Sequence, residues 1–333
     1  MMPGVLALQS VLAAGAAQQQ SVLDPSGPQA KSVARLWWIA FSIAAAVYII
    51  TIGTLLWAAW RAHRRARAGV HPPGNAERIM RGAVGGAVGV TVAILLVFIF
   101  YDFSAGRSLR APAQSNYLTI EITGHEWWWE VEYADTSAHN RVHTANEIHI
   151  PVGVPVRVEL AANDVIHSLW VPELAGKRDL VPGYRQTLWL QADTAGVYRG
   201  QCAEFCGLQH AHMALYVIAD PPARFQSWLA SQRQPAAMPT DSLAARGLQV
   251  FLGTQCPVCH SVGGTPAYGS VGPDLTHLAS RQTIAAGTLA NTRGNLGGWI
   301  MNPQSIKPGN NMPPSQLEPR DLRALLTYLE TLK

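Results

Sequence analysis

Two long uncharged apolar runs constrain this chain more than any other feature. Leu36–Trp60 covers 25 residues and Gly82–Tyr101 covers 20, and neither contains Asp, Glu, Lys or Arg. Roughly 20 apolar residues in a helix cross the hydrocarbon core of a bilayer, whereas a helix buried in a soluble core is usually shorter. Two transmembrane helices are therefore the stronger reading and two core helices the weaker. Between the runs lie Arg61, Arg64, Arg65, Arg67, Arg78 and Arg81, opposed only by Glu77. The positive-inside rule holds such a loop in the cytoplasm, which puts both flanks of the hairpin outside. Residues 5–17 form a further short apolar stretch ending in Ala-Ala-Gly-Ala-Ala. This stretch is a candidate cleaved signal peptide that lacks the usual basic start.

A second constraint is the loop Cys202-Ala-Glu-Phe-Cys206-Gly-Leu-Gln-His210-Ala-His-Met213. Thiolate, thioether and imidazole are ligands that suit copper. A mononuclear copper loop needs one Cys, one His and a weak Met. A second Cys four residues from the first allows two thiolates to bridge two metal ions. One unpaired electron then spreads over both metals, so little reorganises on electron transfer. The spacing points to binuclear electron-transfer copper rather than catalysis on a substrate. His212 competes locally with His210. His125, His139, His143 and His149 read as surface or strand histidines.

The other two cysteines belong to Cys256-Pro-Val-Cys259-His260, the pattern of covalent c-type haem attachment. Two reversible disulfides are the alternative for the four cysteines in an oxidising compartment, but they leave the adjacent His and Met residues unexplained. No cysteine remains for a structural disulfide.

Charge and pattern divide the chain further. Residues 1–110 carry ten basic and three acidic groups, a balance of +7; residues 111–230 carry seven and thirteen, −6; residues 231–333 carry eight and five, +3. The basic groups sit in the anchor and tail, with no basic run interleaved with aromatics, so nucleic acid is not an expected partner. From 117 to 220, period-two stretches such as Tyr117-Leu-Thr-Ile-Glu-Ile-Thr and Val154-Pro-Val-Arg-Val-Glu-Leu alternate with Pro/Gly/Asn/Asp clusters. That spacing predicts a β-sandwich. Pro221-Pro222 ends this stretch and Ala223–Ala230 is a candidate short helix; after the linker-like 231–239 the period becomes helical, in Ser242–Leu252 and again in Asp321–Leu329.

On the copper loop, Asp164-Val-Ile-His167-Ser, Gly124-His-Glu-Trp127-Trp-Trp129 and the two apolar spans, residues 30–230 resemble subunit II of the haem–copper cytochrome oxidases, with its copper A centre. Residues 240–333 resemble class I cytochromes c through the haem motif, Gly272-Pro273-Asp-Leu and Asn311-Met312-Pro-Pro. Together they imply a multidomain membrane protein. Its expected parts are an N-terminal segment with the candidate signal peptide (1–30), a two-helix transmembrane hairpin (31–110), a cupredoxin-like β-sandwich (111–222), a linker (223–239) and an all-α cytochrome c domain (240–333).

The resemblance also implies roles. Cys202 and Cys206 would bridge the coppers, His167 and His210 would each bind one, and Met213 and the Glu204 carbonyl would be weak ligands. The Glu204 carboxylate would reach a magnesium ion at the subunit I interface, an oxygen ligand suiting that cation; a solvated glutamate is the alternative. In the family the first aromatic of the Trp motif is exposed and takes the electron from cytochrome c, which is Trp127 here. The family often has Gln-Trp-Tyr-Trp where this chain has Glu126-Trp-Trp-Trp. Glu77 resembles a glutamate at the mouth of a proton channel of subunit I, or pairs with Arg78 or Arg81.

In the cytochrome fold the Pro273 carbonyl orients His260 and Met312 is the sixth iron ligand, with Met301 its competitor. Gly247 and Phe251, on one helix face, would pack near Leu325 and Tyr328. The implied whole is subunit II of a caa-type cytochrome c oxidase, passing electrons from cytochrome c or another periplasmic donor through haem c and copper A to subunit I. There oxygen would be reduced to water and protons pumped, in the bacterial plasma membrane beside subunits I and III. A copper A nitric oxide reductase subunit and a non-enzymatic membrane-anchored carrier are the alternatives. The +3 and −6 balances further predict that the haem module docks on the copper module through weak, tethered contacts that salt would loosen.

Overall fold

The structure, a computed structural model, describes residues 20–69, 74–108, 116–134 and 141–333. The candidate signal peptide (5–17) and His139 lie outside these residues. The chain divides into a unit of residues 31–111 and a larger unit that takes in residues 1–30 and 112–333.

The smaller unit is helical. Helix α1 (Pro28–Arg67) has 40 residues and α2 (Ala76–Ser108) has 33, roughly 60 and 50 Å at ~1.5 Å per residue. Both are longer than the apolar runs they contain, because the helical pattern continues through the flanking polar residues. The apolar windows of both helices are wholly unburied. Five hydroxyls are satisfied within the helices: Ser42, Thr51, Thr54, Thr91 and Ser104 each donate to the carbonyl four residues earlier. At the basic end of α1, Arg61 and Arg64 lie 5.2 and 4.4 Å from the ring centroids of Trp57 and Trp60.

The larger unit begins with a ten-stranded sandwich. One sheet runs β3–β2–β1–β5–β8, with β1 Leu118–His125, β2 Trp128–Tyr133, β3 Val142–Ala145, β5 Val156–Ala162 and β8 Gln186–Leu190. The other runs β4–β10–β9–β6–β7, with β4 Glu147–Pro151, β6 His167–Trp170, β7 Arg178–Leu180, β9 Gly196–Cys202 and β10 Ala214–Asp220. Alternate residues of β1 and β5 point inward, so Ile120, Ile122, Val156, Val158 and Leu160 meet Ile148, Ile150, Leu169, Leu215 and Val217 in one core. Strand β10 differs: all seven of its residues are buried, as in a strand covered on both faces.

Two stretches belong to this sandwich against expectation. Within the N-terminal segment, Ser26 donates its amide to the Glu173 carbonyl at 2.7 Å, and Arg199 reaches Gln20 at 2.7 Å. Within the expected linker, helix α3 (Pro222–Gln232) buries Phe225 and Leu229 in the sandwich core. Only the residues after it connect the modules, and even these are held: Ala236 donates to the Gly263 carbonyl at 2.9 Å.

The cytochrome-like module is built on α4 (Ser242–Gly253), α5 (Cys256–Cys259), α6 (Arg293–Met301) and α7 (Pro319–Leu329), with a two-strand ribbon of β11 (Thr283–Ile284) and β12 (Leu289–Ala290). The Asp241 side chain caps α4 by accepting from the Ala244 amide at 2.9 Å. Helices α4 and α7 cross at Gly247, where a Cβ would stand 2.1 Å from the Ala324 carbonyl oxygen. That close approach lets Phe251 and Tyr328 pack with ring centroids 6.0 Å apart.

Candidate metal centres

The copper-loop residues converge because of strand register. Gln201 of β9 pairs with Ala214 of β10, and Cys202 donates its amide to the Met213 carbonyl at 2.9 Å. The loop from 203 to 213 therefore starts and ends at one point of the sheet. Its neighbour β6 brings Leu169 opposite Cys202 and places His167 at the same end.

The ligand atoms of His167, Cys202 and Cys206 all lie within 4.8 Å of one another, and all three residues are buried. The two sulfurs are 3.7 Å apart. His167 Nδ1 stands 3.9 Å from Cys202 Sγ; His210 Nδ1 and Met213 Sδ stand 3.6 and 3.9 Å from Cys206 Sγ. The Glu204 carbonyl is 3.2 Å from Cys202 Sγ. Each sulfur has its own imidazole, and a metal at a thiolate bond length of ~2.3 Å from both sulfurs can sit between atoms at this spacing. The donor set fits a pair of soft metal ions bridged by two thiolates.

The surroundings prepare these donors. The interaction between the two thiols holds the Cys202 thiol well below its ordinary range and pushes Cys206 up. A metal takes the thiolate form. His167 Nε2 is 2.8 Å from Asp164 Oδ1. A carboxylate there fixes the proton on Nε2 and leaves the Nδ1 lone pair for a metal. Burial weakens the hold of His167 on a second proton, but its hydrogen bonds to Cys202 and Asp164 outweigh this and the net direction is up. Asp164 also accepts the amides of Glu126 and Val165 at 2.7 Å each. The Asp-X-X-His spacing is the sequence signal that points to Asp164. Gly124 is required beside the ring, since a Cβ there would meet His167 Cδ2 at 2.8 Å.

The haem-attachment residues line a cavity of about 310 Å³ together with Met312. Cys256 and Cys259 sit on one helical turn, and His260 Nδ1 is 2.7 Å from the Pro273 carbonyl. Burial, partly opposed by that hydrogen bond, holds His260 below the ordinary imidazole range and keeps it neutral. Gly272 leaves room for the ring, as a Cβ would stand 2.7 Å from His260 Cε1. The cavity wall also holds Arg281 Nε and Thr283 Oγ1, two buried polar atoms without a hydrogen-bond partner. An apolar crevice lined by paired thiols, a His and a Met, with leftover polar groups at its wall, fits a flat macrocycle bearing carboxylates.

Trp127 and Trp128 of the sandwich line the same cavity. Trp127 is only 7% exposed, which corrects the expectation that it faces solvent. Its indole Nε1 donates to the Cys206 carbonyl at 2.7 Å, and the turn at Gly309 covers its outer edge. Lys307, 3% exposed, carries its ammonium across the module boundary to the carbonyls of Trp127, His212 and Ala285 at 2.8, 2.9 and 3.3 Å. Burial pulls this ammonium down to about 7, partly opposed by Cys206, while carbonyl acceptors favour its charged form. In the other direction, Glu147 Oε1 accepts the amides of Gln282 and Thr283 at 2.7 and 3.1 Å. The expected weak, salt-loosened encounter is therefore replaced by a buried contact, which salt screens little. Lys307 and Glu147 carry no motif. The signal for the contact is the unbroken apolar run 214–219, since a strand with one wet face would alternate.

The remaining candidates are peripheral. The Glu204 carboxylate lies 3.8 Å from Lys177 Nζ. Glu77 accepts from Arg81 at 2.7 Å one helical turn away. His125 stacks on Trp128 and bonds Glu130, His149 stacks on Trp228 and bonds Asp220, and His143 lies near Glu132. His212 Nδ1 is 2.8 Å from Gln209 Oε1, whereas the His210 ring is the one at Cys206.

Comparison with known proteins places this arrangement. Residues 118–219 match the family described as cytochrome c oxidase subunit II, periplasmic domain, and residues 244–333 match the cytochrome c family. The cytochrome c oxidase subunit 2 of Alkalihalophilus pseudofirmus is 36% identical over 325 residues, covering 94% of this chain and 91% of that protein. The chain belongs to the cytochrome c oxidase subunit 2 family. The subunit 2 of Bacillus sp. strain PS3 is 32% identical over 253 residues, covering 72% of this chain and 68% of that one. The crystal structure of the periplasmic domain of subunit II of cytochrome oxidase from Bradyrhizobium japonicum is similar at 29% identity and a TM-score of 0.34, over 37% of this chain and 97% of that one. This subunit 2 is membrane-anchored, combines a cupredoxin-like periplasmic domain with a fused cytochrome c domain, and serves electron transfer in an oxidase complex.

Proposed function

We propose that this chain is the electron-receiving subunit of a proton-translocating, caa-type cytochrome c oxidase of the bacterial plasma membrane, with both globular modules on the periplasmic face. It takes electrons from cytochrome c or another periplasmic donor and delivers them to the haem–copper centre of a partner subunit I, where oxygen is reduced to water. One observation carries the reading: two buried sulfurs 3.7 Å apart, each beside its own imidazole, in a chain that also holds a CXXCH crevice.

Cys202, Cys206, His167 and His210 would hold a copper pair, with Met213 and the Glu204 carbonyl as weak ligands. Cys256 and Cys259 would attach the haem, with His260 and Met312 as its iron ligands. When bound, these groups supply one-electron redox chemistry. The chain's own residues orient the donors: Asp164 sets the His167 tautomer, and the Pro273 carbonyl sets that of His260. Trp127 lies between the haem crevice and the Cys206 carbonyl, so its role is contact between the two centres rather than a landing site for a diffusing donor.

The half-buried carboxylate of Glu204 would be a ligand for magnesium at the subunit I surface once it parts from Lys177. Glu77, at the start of α2, would serve at the mouth of a proton channel. A third subunit completes the complex.

The test is purification of the complex with visible and EPR spectra and oxygen uptake driven by reduced cytochrome c. A seven-line mixed-valence copper signal, a c-type haem band and cytochrome-driven oxygen consumption are expected. Reduction of nitric oxide in place of oxygen would overturn the reading, as would isolation without any haem–copper subunit.

A further inference from the structure

Among the contacts of the cytochrome module with the copper module, three are required by no metal-site argument. Lys307 places its ammonium among three backbone carbonyls, two from the copper module and one from its own. Glu147 of the copper module receives two amides from the start of the 283–290 ribbon. The segment Ala285-Ala286-Gly287, all three residues with positive φ of 54°, 56° and 75°, lies against β10, where Ala214 donates its amide to the Ala286 carbonyl at 3.0 Å. Two consecutive alanines in the left-handed region are unfavourable locally and persist only where the surroundings hold them. Gly287 fits because a Cβ would meet the Ala214 side chain at 3.0 Å.

We infer that Lys307 and Glu147 are reciprocal buried anchors that lock the cytochrome module onto the copper module in one fixed geometry. Each module inserts one charged side chain into backbone polar groups that include the other's. The specificity is geometric: three carbonyl oxygens suit the compact, rotatable donors of an ammonium, whereas the planar fork of an arginine does not match them. Removal of either anchor leaves buried amides or carbonyls without partners, so the contact opens as a unit.

The Lys307 turn also carries the cytochrome's methionine. Asn310 Nδ2 donates to the Lys307 carbonyl at 2.6 Å, the Met312 amide donates to Asn310 Oδ1 at 2.8 Å, and Gln209 of the copper loop donates to the Pro308 carbonyl at 2.8 Å. The anchor therefore ties the Met312 turn to the loop that bears His210. The lock is a property of the polypeptide and stands apart from which redox reaction the complex performs.

Hydrogen exchange by mass spectrometry on the intact, detergent-solubilised complex tests it, with wild type, Lys307→Met and Glu147→Ala compared at low and at high salt. In the wild type, peptides containing Ala214, Gln282 and Thr283 stay protected at both salt concentrations. In either variant the same peptides exchange about tenfold faster or more, while the β1/β5 and α4/α7 peptides are unchanged. Glu147→Ala, on the opposite module, answers the question should Lys307→Met fail to accumulate. Wild-type protection that is absent, or that disappears at high salt, overturns the proposal. So does protection that survives in both variants.

Discussion

Gly124→Ala asks how tightly His167 is held. Gly124 sits in β1 between Trp129 of β2 and Ala162 of β5, and a methyl there lands 2.8 Å from His167 Cδ2 and 3.1 Å from Cγ. Ordinary contact begins near 3.4 Å, so ring or strand must yield by about 0.6 Å. Neither has room. The ring is fully buried and tied to Asp164, and β1 is paired along both edges. Overpacking of this kind costs about 1–3 kcal/mol of stability. Metal sites tolerate roughly 0.5 Å of displacement, and loss of outer support to a ligand typically weakens metal binding by about 10–100-fold.

Copper retention by Gly124→Ala should therefore fall by about 10–100-fold, measured by chelator competition on the copper-loaded complex, with a disturbed EPR signal. Gly298→Ala is the control, because a Cβ there meets nothing within 4 Å. If Gly124→Ala keeps copper within about twofold of wild type, well below the usual effect of outer support, the argument that this ring is rigidly placed is wrong.

Three further outcomes are expected. Gly247→Ala drives a methyl to 2.1 Å from the Ala324 carbonyl, so the α4–α7 crossing must open; the unfolding midpoint of the cytochrome module, read at the haem band, should fall by at least the equivalent of ~1–3 kcal/mol, with the copper spectrum unchanged. Tyr328→Phe removes a buried hydroxyl that has no hydrogen-bond partner; thermal unfolding should show no loss of stability, since no bond is broken and a desolvated oxygen is removed. His149, held below its ordinary value of 6.5 chiefly by burial and partly rescued by Asp220, is neutral in the fold. The unfolded chain then binds the extra proton first, so its contribution to sandwich stability is complete above about pH 6.5 and declines as pH falls toward the folded value. Urea midpoints between pH 7 and 5 should show this slope, and His149→Gln should flatten it.

Much of the site was legible because its chemistry is local in sequence. Four-residue and seven-residue steps from Cys206 place His210 and Met213 in one loop, and the register of β9 with β10 closes that loop on itself. The haem cysteines and His260 likewise occupy one turn. The hairpin was legible from composition, although the helix limits were not, because α1 and α2 continue into polar residues whose hydrogen bonds do not depend on hydropathy. Within 223–239 a short helix was legible, but not its seat in the sandwich core, because only Phe225 and Leu229 of α3 are buried there. What sequence reasoning missed is long-range: Lys307 meets Trp127 across 180 positions, and Glu147 meets Thr283 across 136. A single lysine in a Pro/Gly/Asn-rich turn reads as solvated, and only the partner surface shows otherwise.

The burial of Trp127 bears on how such a chain can be dissected. A fragment ending after α3 keeps every candidate copper ligand, yet it strips the cover from Trp127, leaves the Glu147 carboxylate without its two amides and bares the outer face of β10. Such a fragment gains a surface that the whole chain does not have, and protein donors that bind it will be reading the cut. For this polypeptide, the smallest piece that preserves the native surroundings of the copper loop includes the cytochrome.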